Sequence, residues 1–288
     1  MRIGILFIAA FLAFASCNME PIKEDKAAKQ ESKGKLFIIG GGKKPQEMLK
    51  NLAHISGVDS SGYVVILPMS SSVPDTSGYY MQKDFRDVDV KKTVVFNMQA
   101  KEAMTKAKID SIRNAQLIYI TGGNQNTFME IAKHTPLIPA IQHAYRKGAT
   151  IAGTSAGAAM MSEDMITGDE FKHPEYTGNF RTIEANNMEV EKGLGLIQSA
   201  IIDQHFIKRM RMNRLITVIL EHPEKVGIGI DESTAILVED NHAKIFGIGQ
   251  VVVFRHTSKE TRVRNGLLAG SLEMSIYLPG EGFTIKKN

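Results

Sequence analysis

Short apolar runs that alternate with amphipathic segments constrain the fold of this chain more than any other feature. The runs are rich in β-branched residues and lie at Leu36–Ile39, Tyr63–Leu67, Thr93–Phe96, Leu117–Ile120 and Thr150–Ala152. Segments with helical apolar spacing lie between them, at Gln46–Ile55, Ala100–Asn114, Thr127–His134 and Ile138–Arg146. Continuous apolar strands are typical of a parallel sheet that helices cover on both faces. The alternation predicts an α/β domain with a mostly parallel, doubly wound sheet flanked by helices.

The C-terminal third of the chain follows a different pattern. Past Ala200 the apolar runs lie close together, at Val226–Ile230, Ala235–Val238, Lys244–Ile248, Val251–Phe254 and Met274–Tyr277. Short connections favour antiparallel neighbours, since a parallel pair needs a long crossover. We therefore expect extra antiparallel strands here, as an extension at the edge of the main sheet.

The first residues have the features of a targeting segment. Arg2 precedes the apolar stretch Ile3–Phe14, which is shorter than the roughly 20 residues that span a bilayer. Ala15 and Ser16 stand directly before Cys17, which resembles the bacterial lipoprotein pattern, in which that cysteine is lipidated and becomes the mature N-terminus. We expect residues 1–17 to be a lipoprotein signal peptide, and the protein to be exported and lipid-anchored to the cell envelope, on its periplasmic or cell-surface side. An ordinary signal peptide with a chance cysteine is the alternative.

Composition limits the rest of the chain. Residues 18–34 are polar and charged and predict a flexible tether, whereas residues 35–288 have the length of a single domain with a sizeable core. Cys17 is the only cysteine, so the mature domain has no disulfide, thiol nucleophile or cysteine metal ligand. The net charge is only +4 and the lysines are dispersed, which argues against nucleic acid as a partner. The sequence is compatible with a homodimer.

The segment Gly153–Gly157 has the sequence Gly-Thr-Ser-Ala-Gly. It follows a β-branched run and precedes Ala158-Ala159-Met160-Met161, an order that predicts strand, sharp turn and helix. That is the nucleophile-elbow pattern, in which Ser155 would stand exposed at the end of a strand. The N–H of Ala156, at the start of the helix, can hold a developing oxyanion. A turn that only joins a strand to a helix is the alternative.

Two further glycine-rich turns follow strand runs. In Gly122-Gly123-Asn124-Gln125 the N–H of Gly123 is a candidate second oxyanion donor, and Gln125 a candidate ligand of a substrate amide or carboxylate. A structural turn with an asparagine cap is the alternative. The turn Gly40-Gly41-Gly42-Lys43 lacks both G-x-G-x-x-G and the G-K-[ST] ending of a P-loop, so we expect no nucleotide there.

His205 is the best candidate base for Ser155 among the eight histidines. It follows the apolar run Ala200–Ile202 and therefore stands at another predicted strand end. Asp231 and Glu232 end a later run, and either carboxylate could orient the imidazole. Because side chains alternate along a strand, only one of the two can do so, and spacing alone does not choose between them.

Three arginines follow His205 closely, at Arg209, Arg211 and Arg214. If all lie on one helix, Arg211 and Arg214 share a face while Arg209 points elsewhere; alternatively the helix begins after Arg209. Few acidic residues stand beside them in the sequence, so we expect them to recognise anions rather than to form a solvated helix face.

Together these motifs resemble the cyanophycinase-like serine peptidases. The matching segments occur in the family's order, at residues 122–125, 153–158, 203–214 and 229–235. The resemblance extends over the chain from about Lys35 and implies a fold akin to the class I glutamine amidotransferases. It also implies a catalytic triad of Ser155, His205 and Glu232, which selects the carboxylate that spacing left open.

The resemblance further implies a substrate. Family members cleave cyanophycin, a polyaspartate that carries arginine on its side-chain carboxylates, to β-aspartyl-arginine dipeptides, without a metal or organic cofactor. The positions that match its substrate contacts are Gln125, Asp203, Arg209, Arg211 and Arg214. We therefore expect a serine exopeptidase that acts outside the cytoplasm on cyanophycin or related β-aspartyl peptides. The alternatives are an aspartyl dipeptidase-like serine peptidase, a non-catalytic lipoprotein that binds anionic peptides, and an esterase of the α/β-hydrolase type.

Overall fold

The computed structural model describes residues 34–99, 104–175, 178, 180–258 and 260–286. The predicted signal peptide with Cys17, and the predicted tether apart from Gly34, lie outside the described residues. In the part of the chain that the structure describes, no helix has both the length and the apolar character needed to cross a membrane.

The strands and helices alternate along the first half of the chain and then give way to strands. The strands are β1 (Lys35–Ile39), β2 (Val64–Leu67), β3 (Thr93–Val95), β4 (Leu117–Ile120), β5 (Thr150–Thr154), β6 (Asp164–Glu170), β7 (Met188–Lys192), β8 (Ala200–Gln204), β9 (Val226–Ile230), β10 (Thr234–Glu239), β11 (His242–Gly247), β12 (Val251–His256), β13 (Arg262–Arg264), β14 (Leu267–Ala269), β15 (Leu272–Tyr277) and β16 (Gly282–Thr284). The helices are α1 (Gln46–Ser56), α2 (Pro74–Arg86), α3 (Lys106–Arg113), α4 (Gln125–Ala132), α5 (Leu137–Arg146), α6 (Ala156–Ala159) and α7 (Met212–Glu221).

The main sheet has the strand order β16-β11-β10-β1-β5-β4-β2-β3. Strands β1 to β5 are mutually parallel, whereas β10, β11 and β16 continue the sheet antiparallel beyond β1. This confirms the predicted α/β fold with a mostly parallel sheet. The register pairs Ile39 with Thr154 and Ile120 with Gly153, so β1, β4 and β5 end at one edge of the sheet.

Helices cover the parallel strands on both faces, because each strand is apolar on both. Along β1, Phe37 and Ile39 pack with Leu52 of α1 and Phe85 of α2, whereas the alternate residues pack on the opposite face with helices α3 to α6. Burial of each large side chain stabilises the fold by about 1.5–3 kcal/mol. Helix α2 begins with Pro74, whose fixed φ suits the first helical position.

The antiparallel strands predicted for the C-terminal third are confirmed, but only some of them extend the edge of the main sheet. Strands β10 and β11 extend the main sheet as predicted, but β9, β12 and β15 form a second sheet with β8, in the order β15-β12-β9-β8. Strand β9 is parallel to β8, because α7 lies between them in the chain and provides the long crossover that a parallel pair needs. Helix α7 packs through Leu215, Val218 and Ile219 against one face of this second sheet. The sequence pattern did not indicate the hairpins β6–β7 and β13–β14.

Candidate active site

The three residues predicted to act together follow three different strands. Ser155 comes directly after β5, His205 after β8 and Glu232 shortly after β9. Sites in open α/β sheets form beyond the carboxyl ends of the strands. The two sheets therefore bring a hydroxyl, an imidazole and a carboxylate to one crevice.

Ser155 occupies a strained backbone conformation. Its φ of 54° and ψ of −112° lie outside the usual region for a residue with a Cβ, at a cost of about 1–3 kcal/mol. The flanking glycines make this tight turn possible. A Cβ on Gly153 would stand 2.3 Å from the carbonyl oxygen of Gly157, and one on Gly157 would stand 2.5 Å from that of Ile120. The Gly-x-Ser-x-Gly spacing is thus a steric requirement of the elbow.

A continuous hydrogen-bonded chain joins the three side chains. Ser155 Oγ lies 2.8 Å from His205 Nε2, and His205 Nδ1 lies 2.6 Å from Glu232 Oε1. An ionised carboxylate only accepts hydrogen bonds, so Nδ1 carries the proton and donates a hydrogen bond to Glu232. The unprotonated Nε2 then accepts from the hydroxyl of Ser155. This tautomer is the one that a general base for the serine requires.

The surroundings of His205 favour its neutral form. Burial is the largest cause that lowers the pKa of His205 below its ordinary 6.5, and the charges of Arg209 and Arg211 lower it further. The hydrogen bond and charge of Glu232 act in the opposite direction without reversing the shift. The imidazole therefore remains unprotonated, and able to accept a proton, below the pH at which a solvated histidine becomes charged.

Only one of the two neighbouring carboxylates reaches His205, and both lie in the turn that follows β9. Glu232 bonds the imidazole, whereas Asp231 Oδ1 accepts the backbone N–H of Lys208 at 2.9 Å. Asp231 thus holds the turn that follows His205.

The turn Gly40-Gly41-Gly42 supports the site, a role that the sequence interpretation missed. A Cβ on Gly41 would stand 2.4 Å from Cε1 of His205, and one on Gly42 would stand 2.8 Å from Cβ of Glu232. The backbone N–H of His205 donates to the carbonyl of Gly40 at 2.7 Å. The sequence signal for this supporting role is a third glycine turn at a strand end. The sequence interpretation considered that turn only as a nucleotide site.

The turn Gly122-Gly123 lies directly against Ser155. A Cβ on Gly122 would stand 3.1 Å from Cβ of Ser155, and one on Gly123 would stand 1.9 Å from the carbonyl oxygen of Ser70. Gly123 also has a φ of +141°, so only glycine fits there. Within the described residues, no backbone carbonyl accepts from the N–H of Gly123 or Ala156. Both groups stay candidates for the oxyanion, and that role stays a prediction.

Comparison with known proteins identifies the family. The model of peptidase family S51 matches residues 36–246. The chain belongs to peptidase family S51. A cyanophycinase of Nostoc sp. is 32% identical over 230 residues, which cover 78% of this chain and 74% of the relative. A cyanophycinase of Geminocystis herdmanii is 30% identical over 234 residues, with coverage of 78% and 82%.

Solved structures agree on the fold. A peptidase from an acI-B1 Actinobacterium has a TM-score of 0.64 at 21% identity and covers 89% of this chain and 98% of its own. A putative peptidase E of Listeria monocytogenes has a TM-score of 0.52 at 18% identity, with coverage of 75% and 99%. The S51 chain is a serine peptidase with a fold akin to the class I glutamine amidotransferases. Membership of this peptidase family argues against the alternative of a protein that binds peptides without cleaving them.

In this S51 peptidase Gln125 is committed to the protein rather than open to a ligand. The side chain is buried, and its Nε2 donates to the carbonyls of Ile166 at 3.0 Å and Thr167 at 2.5 Å. Gln125 therefore fixes β6 beside the site. Of its polar side-chain atoms, only Oε1 remains to make the expected contact with the substrate.

The structure corrects the expectation that Arg211 and Arg214 present their charges to an anionic substrate. Arg214 Nε donates to Asp203 Oδ2 at 2.7 Å, its Nη2 bonds the other carboxylate oxygen, and its guanidinium lies 4.8 Å from the ring centre of Phe180. Arg211 Nη1 donates to the carbonyl and side-chain oxygens of Gln204. The side chains of Arg214 and Asp203 are 2% and 0% exposed.

The reason for this correction is an acidic partner that lies on a different element, eleven positions before Arg214. Asp203 comes from β8 and neutralises arginines of the following turn and helix, since an unpaired buried charge is very costly. Helix α7 begins at Met212, so the alternative in which the helix starts after Arg209 is confirmed. Arg209 is the exposed member of the three and stays a candidate for substrate contact.

Proposed function

We propose that this S51 peptidase uses Ser155, His205 and Glu232 as a catalytic triad. The observation that carries the proposal is the hydrogen-bonded chain from Ser155 Oγ through His205 to Glu232, with links of 2.8 Å and 2.6 Å. An alcohol is a poor nucleophile until a neighbouring base takes its proton, and His205 Nε2 is in position to do so. Glu232 holds the required tautomer and stabilises the imidazolium that forms.

The reaction proceeds through an acyl-enzyme. Ser155 Oγ attacks the scissile carbonyl carbon while its proton passes to His205 Nε2, and the N–H groups of Gly123 and Ala156 hold the oxyanion. The carbonyl–nitrogen bond then breaks, and the leaving amine takes the proton from His205. Water attacks the ester and gives a proton to His205, which returns it to Ser155 as the ester bond breaks. Loss of one oxyanion donor typically slows such a reaction about 100- to 1000-fold.

The substrate that we propose is cyanophycin or a related β-aspartyl peptide, cut by exopeptidase action to β-aspartyl-arginine dipeptides. The support is the set of relatives that bear the name cyanophycinase and align with 78% to 82% of this chain. A second candidate is an aspartyl dipeptidase-like activity. The internal pairing of Arg214 with Asp203 bears on it, because the arginine cluster was the feature that argued against this activity and this arginine is no longer open to a substrate.

One assay separates these activities. Purified protein is incubated with cyanophycin and, separately, with aspartyl dipeptides, and the products are identified by mass spectrometry. We expect β-aspartyl-arginine from cyanophycin and its loss by a factor of at least about 10⁴ in Ser155→Ala. Absence of the dipeptide from wild-type digests would refute the substrate. Residual cleavage by Ser155→Ala, or failure of a fluorophosphonate to label Ser155, would refute the mechanism.

We also propose that the enzyme works outside the cytoplasm, anchored by a lipid on Cys17. The support is the apolar segment with small residues directly before that cysteine. Cells that express the chain are labelled with radioactive palmitate, and we expect the label in the wild type and its loss in Cys17→Ser. An unlabelled wild-type protein would remove the anchor from the proposal. A homodimer stays a prediction.

A further inference from the structure

A cavity of about 240 Å³ lies beside the Gly122 turn, between the ends of β4 and β5 and helix α2. We call it the α2 cavity. It is lined by Lys44, Thr76, Ser77, Tyr80, Met81, Asp84, Tyr119, Thr121, Gly122 and Thr154. None of the sequence motifs used above singled out its α2 residues.

The α2 cavity begins next to the nucleophile. Thr154 immediately precedes Ser155, and a Cβ on Gly122 would stand only 3.7 Å from Ser155 Oγ. A peptide bound with its scissile carbonyl at Ser155 therefore has a neighbouring side chain within reach of this cavity.

One face of α2 supplies the outer wall. Thr76, Tyr80 and Asp84 are spaced four residues apart, so they lie above one another on the same side of the helix. Tyr80 is 58% exposed and lies at the mouth, whereas the side chain of Asp84 is 39% exposed. Asp84 pairs with Lys44 at a long 3.9 Å and also interacts with the charge of Lys83, so within the described residues no close ion pair occupies its carboxylate.

The inner wall is polar although it is buried. Thr121 is only 6% exposed, and its Oγ1 has no hydrogen-bond partner within the described residues. Buried hydroxyl groups without hydrogen-bond partners are rare in proteins, so such a group indicates that a bound molecule supplies the missing hydrogen bond. Tyr119 adds a second buried hydroxyl, and burial followed by the charge of Asp84 raises its pKa, so that it stays uncharged and its oxygen can accept a hydrogen bond from an N–H group.

A carboxylate, an aromatic face and buried hydroxyls form a typical site for a guanidinium group. Arginine pairs with a carboxylate through its planar fork and stacks on aromatic rings, while its methylene stem packs against apolar groups such as Met81. Lys44, at the same wall, can hold a carboxylate of the same ligand, which matches the zwitterionic character of an arginine whose α-carboxylate is free.

We propose that the α2 cavity is a specificity subsite that binds an arginine side chain of the substrate, with Asp84 holding its guanidinium. The inference deepens the proposed function and rests on it.

The test compares two substrates that differ only in charge. One is a synthetic β-aspartyl-arginine oligomer, and the other carries citrulline, the neutral isostere, in place of arginine. We expect the wild type to prefer arginine over citrulline in kcat/KM. We expect Asp84→Asn to reduce this preference by about 10- to 100-fold, mainly through KM for the arginine oligomer. Asp87→Asn is the matched control, because Asp87 follows α2, is exposed and binds Lys83 at 2.6 Å.

The outcomes separate the two proposals. If the wild type cleaves neither oligomer, the proposed function fails. If the wild type prefers arginine and Asp84→Asn keeps that preference, the function stands and the subsite is refuted. A preference that falls equally in Asp87→Asn would also refute it, since that change lies outside the cavity. A circular-dichroism melt shows that each variant is folded.

Discussion

The two groups of charged side chains near the site are built in opposite ways. The buried cluster, formed by Asp203, Arg211 and Arg214, lies on the side of His205 and is at most 6% exposed at each side chain. The cavity pair, Lys44 and Asp84, lies on the side of α2, with side chains 20% and 39% exposed and 3.9 Å apart. In the first group Arg214 is closely paired with Asp203, and all three side chains are buried, whereas the second group is loosely paired and open.

This difference separates charges that stabilise the fold from charges that recognise a ligand. Removing a charge from water is costly unless a partner neutralises it, so a buried arginine must find a carboxylate within the protein. Such a pair has few free hydrogen-bonding groups with which to bind a substrate. In a partly exposed pair with a long separation, each charge can exchange its partner for a ligand at small cost. Changes in the buried cluster should therefore alter stability, and changes around the cavity pair should alter specificity.

The largest expected effect is on the buried cluster. Arg214→Met leaves Asp203 buried without its two-point partner, so we expect the free energy of unfolding to fall by about 3–5 kcal/mol. Urea denaturation measures it. Arg209→Met is the control, since Arg209 is exposed and its loss should change stability by less than about 0.5 kcal/mol.

A second variant checks the cause. In Asp203→Leu with Arg214→Met the closely paired charges are gone but Arg211 stays buried without its carboxylate, so only part of the lost stability should return. If Arg214→Met unfolds like the wild type and instead raises KM for cyanophycin, Arg214 binds the substrate. The distinction between a stabilising group and a recognising group of charges is then wrong.

The local parts of this site were predictable from the sequence. Gly153 and Gly157 flank a serine after a β-branched run, and that pattern alone indicates a tight elbow. His205 follows an apolar run and therefore stands at a strand end. The choice between Asp231 and Glu232 was not predictable from spacing, because it depends on which face of the turn meets β8 and only the packed structure provides that.

Contacts between distant segments were not predictable. Arg214 pairs with Asp203, eleven positions earlier and on another element, so counting acidic neighbours in the sequence missed it. Strand β9 joined the second sheet because α7 makes a crossover, whereas the sequence showed only closely spaced runs. The α2 cavity needs Gly122, Thr121 and a face of α2 together, and each of these is unremarkable alone.

A smaller effect is expected at the mouth of the cavity. Tyr80→Ala removes the aromatic face, and a cation–π contact at an exposed site contributes about 0.5–1 kcal/mol. We expect the preference for arginine over citrulline to fall about 2- to 5-fold, with the unfolding free energy unchanged. Phe171→Ala is the control, because Phe171 is an aromatic residue of similar exposure, at 64%, that does not line the cavity. A loss of stability without a change in preference would assign Tyr80 to the fold.

The smallest effect concerns Arg209, which is exposed and belongs to neither group. Its charge disfavours the protonated form of His205 and so lowers the pKa of that imidazole. In Arg209→Gln the pKa of His205 should rise, and the acid limb of kcat/KM, which requires neutral His205, should move to higher pH. Burial remains the largest cause of the lowered pKa, so the shift of the limb should be smaller than the effect of burial.

Salt identifies the origin of this shift. Exposed charges are screened at high ionic strength, so the limbs of wild type and Arg209→Gln should converge as salt is added. Arg146→Gln, an exposed change on α5, should leave the limb in place. A limb that moves to lower pH in Arg209→Gln, or a shift that persists in high salt, would show that Arg209 acts on His205 through packing rather than through its charge.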